Sequence, residues 1–282
     1  MKYTLSGRLL RGEQSARLLL LLLPVLIISA AFFLLPLARL LVISFEGDQW
    51  GANYWQALTE ARYLSSLVDT LLLSVSVTLV TLAISVVCGL FLARNEFAGK
   101  SLLVSLLTFP LAFPGVVIGF LVIMLGGRQG LSAELGLMID GSRWTFAYSI
   151  AGLFVGYVYF SIPRVLLTVI AAAEKLDYQL EEAARSFGAS RYRIFRDVIL
   201  TGLKPALLAS GAICFATSMG AFGTAFALAT DINVLPMTIY TEFTLGANIA
   251  MAAALSILLG LITWLVLFLA RMLSGADASP AA

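Results

Sequence analysis

The 282-residue chain is 60% hydrophobic and 12% charged, with a net charge of +2 and a mean hydropathy of +0.97. A soluble domain carries roughly a quarter charged residues, so a soluble globular fold is excluded and lipid is the implied solvent. Histidine is absent, which removes the commonest metal ligand and general base. Cys88 and Cys214 both fall in apolar stretches, where a thiol behaves as a small hydrophobe. Neither a metal site nor a catalytic constellation is expected, and no residue is assigned a catalytic role.

Apolar windows predict six spanning helices at approximately 18–38, 70–93, 101–125, 146–173, 206–230 and 249–270. Each holds the about 20 residues a bilayer core requires, with length to spare for tilt. The fold class expected is an all-α membrane protein: a tail at 1–17, a transmembrane domain at 18–272 and a second tail at 273–282. The basic 1–17 segment and Ser29-Ala30-Ala31 resemble signal-peptide features, but the apolar run continues to Pro36. It is longer than a signal core, so a retained anchor is favoured.

Charge then sets direction. With the N-terminus inside, fourteen of the 18 basic residues fall on the cytoplasmic side, Arg164 being counted there as a span-end residue. Only Arg39, Arg62, Arg128 and Arg143 fall outside, and the 231–248 loop has neither Lys nor Arg. The positive-inside rule therefore makes both termini cytoplasmic. Prolines and glycines interrupt the spans at Pro110, Pro114, Pro163, Gly211, Gly220 and Gly223. Backbone groups freed in a membrane need protein partners or a water-filled path, so these breaks suggest bending helices.

The segment EEAARSFGASRYRIFRDVIL, 181–200, concentrates charge in a chain otherwise poor in it. Its pattern predicts two short helices. Asp177 is placed to cap the first, Leu176, Leu180, Ala183 or Ala184 and Phe187 recur on one face, and Glu181 and Arg185 form an i,i+4 pair. Gly188 suits the positive φ that ends a helix. Ser190 is placed to cap the second helix, whose apolar face is Ile194, Phe195, Val198 and Ile199. Pro205 then marks entry to the fifth span. Small alanines between charges make a knob that a partner surface can approach closely.

This segment resembles the EAA loop of the membrane-spanning subunits of ABC importers. The family pattern is Glu-Ala-Ala, three residues, Gly, nine residues, Ile, one residue, Leu-Pro. Glu182, Ala183, Ala184, Gly188 and Leu200 match; Val198 replaces Ile and Thr201 replaces Pro, while Pro205 fits a second proline of polyamine-type relatives. The six spans and the SLVDTLLLSVSVTLVTLAISVVCGLFLAR stretch are similar to the same family, with Asp69 where Asn is common.

The resemblance implies a type I importer permease of the bacterial cytoplasmic membrane, with a coupling loop at 174–205 that docks on an ATPase. Glu181, Glu182, Ala183, Ala184, Arg185, Phe187, Gly188, Ala189, Arg191 and Arg193 are the implied docking residues. The implied partners are two copies of a cytoplasmic ABC ATPase, a second permease (a heterodimer being favoured), an external substrate-binding protein and membrane lipid, with no nucleic acid. The chain itself is expected to hold no cofactor, ATP and Mg residing on the ATPase. AGKS at 98–101 looks like a P-loop tail, but the glycine required five residues before Gly99 is Arg94, and no strand precedes it.

The family's substrate path follows spans three to five, making Thr108, Phe109, Phe113, Thr217, Ser218, Phe222 and Thr224 the candidate lining residues. With Asp69 and Arg164 read as lying near span ends, little charge is expected at membrane depth and passage is expected to be of low affinity. Polyamine or 2-aminoethylphosphonate is the favoured cargo, with ferric iron, sulfate or thiamine as the alternative. A secondary transporter is disfavoured because such proteins bury ionisable coupling residues. A membrane enzyme is disfavoured because no cluster of acid, base and nucleophile exists.

Overall fold

The computed structural model describes residues 21–46, 51–228 and 233–274. The 1–17 tail, the start of the first span and the end of the chain lie outside the described residues. Every described element is helical, and six segments are long and apolar enough to cross a membrane: Leu21–Ser44, Ala61–Arg94, Gly115–Ile139, Ile150–Ala173, Arg191–Met219 and Ile249–Leu273.

In chain order, α1 (Leu21–Ser44) contains a π-helical turn at Ala30–Leu34 just ahead of Pro36. The short α2 (Ala52–Thr59) leads into α3 (Ala61–Arg94), 34 residues long. The expected third span is broken where its prolines lie. Helix α4 (Lys100–Thr108) passes into a 3-10 turn at Phe109–Ala112, and the chain restarts after Pro114 as α5 (Gly115–Gly126) and α6 (Leu131–Ile139). The predicted 101–125 span is thus two helices, α4 and α5, joined through the proline-containing turn, because proline removes backbone donors and forbids a continuous helix.

Helix α7 (Ile150–Ala173) is capped by Ser149, whose hydroxyl accepts from Gly152 N at 3.4 Å. Then come α8 (Tyr178–Ser186), α9 (Arg191–Met219), α10 (Phe222–Leu228), α11 (Leu235–Thr244) and α12 (Ile249–Leu273). The second loop helix does not end before the fifth span. It runs into it through a π-helical turn at Ile194–Ile199, so one continuous helix extends from Arg191 through the predicted start of the span at 206 to Met219. Thr201 Oγ1 reaches back five residues to Arg196 O at 3.5 Å, following the wider turn. Pro205 lies inside the continuous helix.

Helix α7 packs along α3, and α9 packs against both, while α12 joins α1 to the bundle. The buried face of α3 carries Ser66, Thr70, Ser74, Thr78, Thr81 and Ser85. Small hydroxyl residues let helix backbones approach where lipid supplies no hydrophobic drive. At the α3–α7 crossing a Cβ on Gly89 would lie 2.7 Å from Val169 Cγ1, so the glycine sets the interhelical distance. The main core joins Val77, Leu153, Val165, Val169 and Leu203. A second core gathers Tyr63, Leu67, Leu235, Met251 and Leu255. Near it, buried Glu242 on α11 pairs with Arg62 on α3 at 3.0 Å.

Candidate functional site

The loop end of the bundle forms from local capping first. Asp177 accepts from Gln179 N at 2.9 Å and begins α8. Gly188 has φ +77 and ends the turn after it. Ser190 accepts from Arg193 N at 3.4 Å and begins the next helix. These three predicted caps all form, since each depends only on residues within one turn.

What orients the knob is long-range. Glu181, expected at the partner face in a pair with Arg185, is buried, with 5% of its surface accessible. It is held by both guanidinium ends of Arg94, 87 residues away at the C-terminus of α3: Nη1 donates to Oε2 at 3.2 Å and Nη2 donates to Oε1. The same guanidinium lies 5.2 Å from the Tyr178 ring. A carboxylate this buried requires a charged partner, and a bidentate arginine is the best geometric match. Glu181 is thus an anchor of the loop. Arg94, which the sequence offers only as one of the cytoplasmic basic residues and as the mismatch to a P-loop, is its partner; its position at the end of a long span was the available signal.

The second loop helix lays Ile194 and Ile199 into the core, with Phe195 and Val198 partly buried beside them, as its apolar pattern predicted. Ala184 and Ala189 also pack partly against the bundle. Left exposed are Glu182, Ala183, Arg185, Gly188, Arg191 and Arg193, with Phe187 91% accessible. The predicted apolar face of the first helix is therefore split: Leu176 packs inward while Leu180 and Phe187 face out.

A cavity of about 430 Å³ opens where α5 begins and α9 ends. Of the predicted path residues, Thr217, Ser218 and Thr224 line it. Thr108, Phe109, Phe113 and Phe222 do not. Phe109 and Phe113 instead meet edge to face at 4.9 Å, and Phe222 stacks near Phe226 and Tyr240. Thr224 Oγ1 donates to Gly115 O at 2.9 Å and ties α10 to the start of α5, while Tyr157 OH donates to Ala221 O between α9 and α10.

Arg164 also lines this cavity. It sits nine residues before the end of α7, about 14 Å into the helix at 1.5 Å per residue. It is not a span-end charge as sequence reasoning had placed it. Its guanidinium lies 5.6 Å from the Phe160 ring. The signal was present: a lone arginine next to Pro163, inside a run of otherwise apolar residues.

Residues 85–276 match the family described as "Binding-protein-dependent transport system inner membrane component". The chain is 33% identical over 181 residues to the molybdenum transport system permease protein ModB of Escherichia coli, covering 61% of this chain and 78% of that one. It is 32% identical over 199 residues to the sulfate transport system permease protein CysT of Salmonella typhimurium, covering 71% and 70%. Its fold is similar to a chain of a bacterial alginate ABC transporter solved in complex with an alginate-bound periplasmic protein, with TM-score 0.75, 17% identity and coverage of 93% and 95%. The family match spans the broken third crossing, the capped loop and the cavity alike, and the chain belongs to this family as a multi-pass, non-enzymatic permease subunit of an ABC importer.

Proposed function

We propose that the chain forms half of an ATP-driven import path for a tetrahedral oxyanion of the sulfate or molybdate class. The cargo reading is carried by the relatives, which bear sulfate and molybdenum transport names. They favour the sulfate alternative over the polyamine or aminophosphonate cargo expected from the sequence. Chemistry agrees, because the cavity carries an arginine and hydroxyls but no carboxylate that a polyamine would seek.

The exposed knob of Glu182, Ala183, Arg185, Phe187 and Gly188 docks on a cytoplasmic ATPase, and Arg191 and Arg193 flank that contact. Support comes from its construction: a buried ion pair fixes the inner side of α8 while a large aromatic stays in solvent on the outer side. Such an arrangement transmits force, since a rigid lever needs an anchored end. Both termini and this loop are cytoplasmic by the positive-inside rule. Two ATPase copies with ATP and Mg, an external binding protein and a second permease complete the assembly. A different second permease, rather than a second copy of this chain, is retained from the family resemblance.

The test is uptake into proteoliposomes holding the full transporter, with binding protein on one side and ATP on the loop side. Labelled sulfate or molybdate should accumulate and labelled spermidine should not. Spermidine uptake without oxyanion uptake would overturn the cargo reading. Gradient-driven uptake without ATP would overturn the importer mechanism.

A further inference from the structure

The cavity wall sorts its hydrogen-bond donors into spent and unspent. Tyr157 donates to Ala221 O, Thr217 to Ile213 O at 2.9 Å, and Thr224 to Gly115 O. Those protons are committed to the protein. Ser218 is buried, and its hydroxyl has no hydrogen-bond partner. Ser161, also buried, makes no side-chain hydrogen bond among the described residues. Arg164 makes neither an ion pair nor a side-chain hydrogen bond among them. Its contact with Phe160 is with a ring, which leaves the five N–H donors of the guanidinium free.

A cation at this depth costs about 2.5–3.5 kcal/mol on insertion scales. Charges retained within spans mark ion and substrate pathways. Here the cost is not offset by a carboxylate, and the other polar side chains of the wall are hydroxyls, which can donate to an anion but bring no negative charge. Gly115 adds to this bias: it is the first residue of α5, which has no side-chain cap, and a helix N-terminus carries partial positive charge. A wall with unspent donors, an unpaired guanidinium and no acidic side chain selects an anion and rejects a cation.

We infer that this cavity is an intramembrane binding station for a tetrahedral oxyanion, with Arg164 as the charge partner and Ser161 and Ser218 as neutral donors. The inference rests on the oxyanion reading of the cargo and adds to it that the permease itself holds the ion in transit. Arginine suits this role because its planar donor fork matches two oxygens of one anion. Two serine donors complete a shell that distinguishes a multi-oxygen anion from a halide. The cargo is thus selected a second time after its binding protein releases it.

The permease–ATPase complex, purified without binding protein, is dialysed against radiolabelled molybdate. Saturable binding is expected, displaced by sulfate and indifferent to spermidine. Arg164→Gln should lower that affinity at least tenfold, Arg164→Lys less, and Ser218→Ala severalfold. In proteoliposomes Arg164→Gln should cut oxyanion uptake at least tenfold while the ATPase still co-purifies. If Arg164→Gln fails to assemble, Ser161→Ala and Ser218→Ala carry the same binding test. Wild-type complex that transports oxyanion yet shows no saturable binding, or binding unchanged in all these variants, overturns the station and leaves the cargo reading standing. Wild-type transporter that imports no oxyanion overturns the cargo reading itself.

Discussion

Arg94 and Arg164 both sit on spanning helices of this bundle, and the structure uses them in opposite ways. Arg94, at the end of α3, spends its guanidinium on buried Glu181 and on the Tyr178 ring. Arg164, well inside α7, faces a cavity with no carboxylate within reach among the described residues. The first is a structural joint at the loop end; the second is a charge held ready for a guest. The difference lies in which neighbours the fold supplies: a partnered buried charge contributes rigidity, whereas an unpartnered one near a cavity contributes function.

The largest effect expected from breaking this contrast is at the joint. Arg94→Ala leaves Glu181 buried without a counter-charge, a loss of about 3–5 kcal/mol for a buried pair. It should detach α8, abolish ATPase co-purification and speed proteolysis within the loop. Arg94→Ala with Glu181→Ala should restore much of that stability, because no orphan charge remains. A double-mutant cycle by thermal unfolding of the purified permease measures the coupling. Two single variants whose losses simply add would break the comparison, since Arg94 would then be no joint.

Next in size are changes on the exposed side of the knob. Glu182→Lys and Gly188→Trp should abolish uptake and ATPase retention while membrane insertion, judged by yield in the membrane fraction, stays unchanged. Gly188 has open space around a would-be Cβ, so substitution there acts through its positive φ and through partner contact. Gly188→Ala separates the two: the left-handed conformation costs about 1–2 kcal/mol for a residue with a Cβ, with less effect on docking than tryptophan.

The smallest effect lies at the far end, beyond α6. Asp140 accepts from Ser142 Oγ at 2.7 Å, from Ser142 N at 2.8 Å and from Trp144 Nε1 at 3.0 Å. Those bonds hold its carboxyl below the usual carboxylate range, the Ser142 hydroxyl contributing most. A lowered folded value means the turn is supported above the ordinary carboxylate range and loses that support as pH falls through the lowered value. Trp144 fluorescence should report a local acid transition that vanishes in Asp140→Asn, with ATPase retention unaffected.

The local parts of both regions were legible in the sequence. Asp177, Gly188 and Ser190 act within one helical turn, so their residue types alone foretold their roles. Pro110 and Pro114 foretold a break, and the helix stops and restarts there. The fusion of the second loop helix with the fifth span was not legible, because apolar averaging does not register charged residues continuing a helix through a π-helical turn. Glu181 was assigned to Arg185 because i,i+4 spacing is visible along a chain. Contact with Arg94 requires α3 and α8 to end at the same place.

Apolar length and composition determined on their own that this chain crosses a membrane six times, since each span must satisfy its backbone within about 20 consecutive residues. Short-range rules likewise determined the caps of the docking loop. Only the packed helices decided that Glu181 turns inward, that Arg94 meets it and that Arg164 meets no carboxylate. Charges separated by scores of residues are matched by the crossing of helices, and nothing in a linear pattern records where two helices cross.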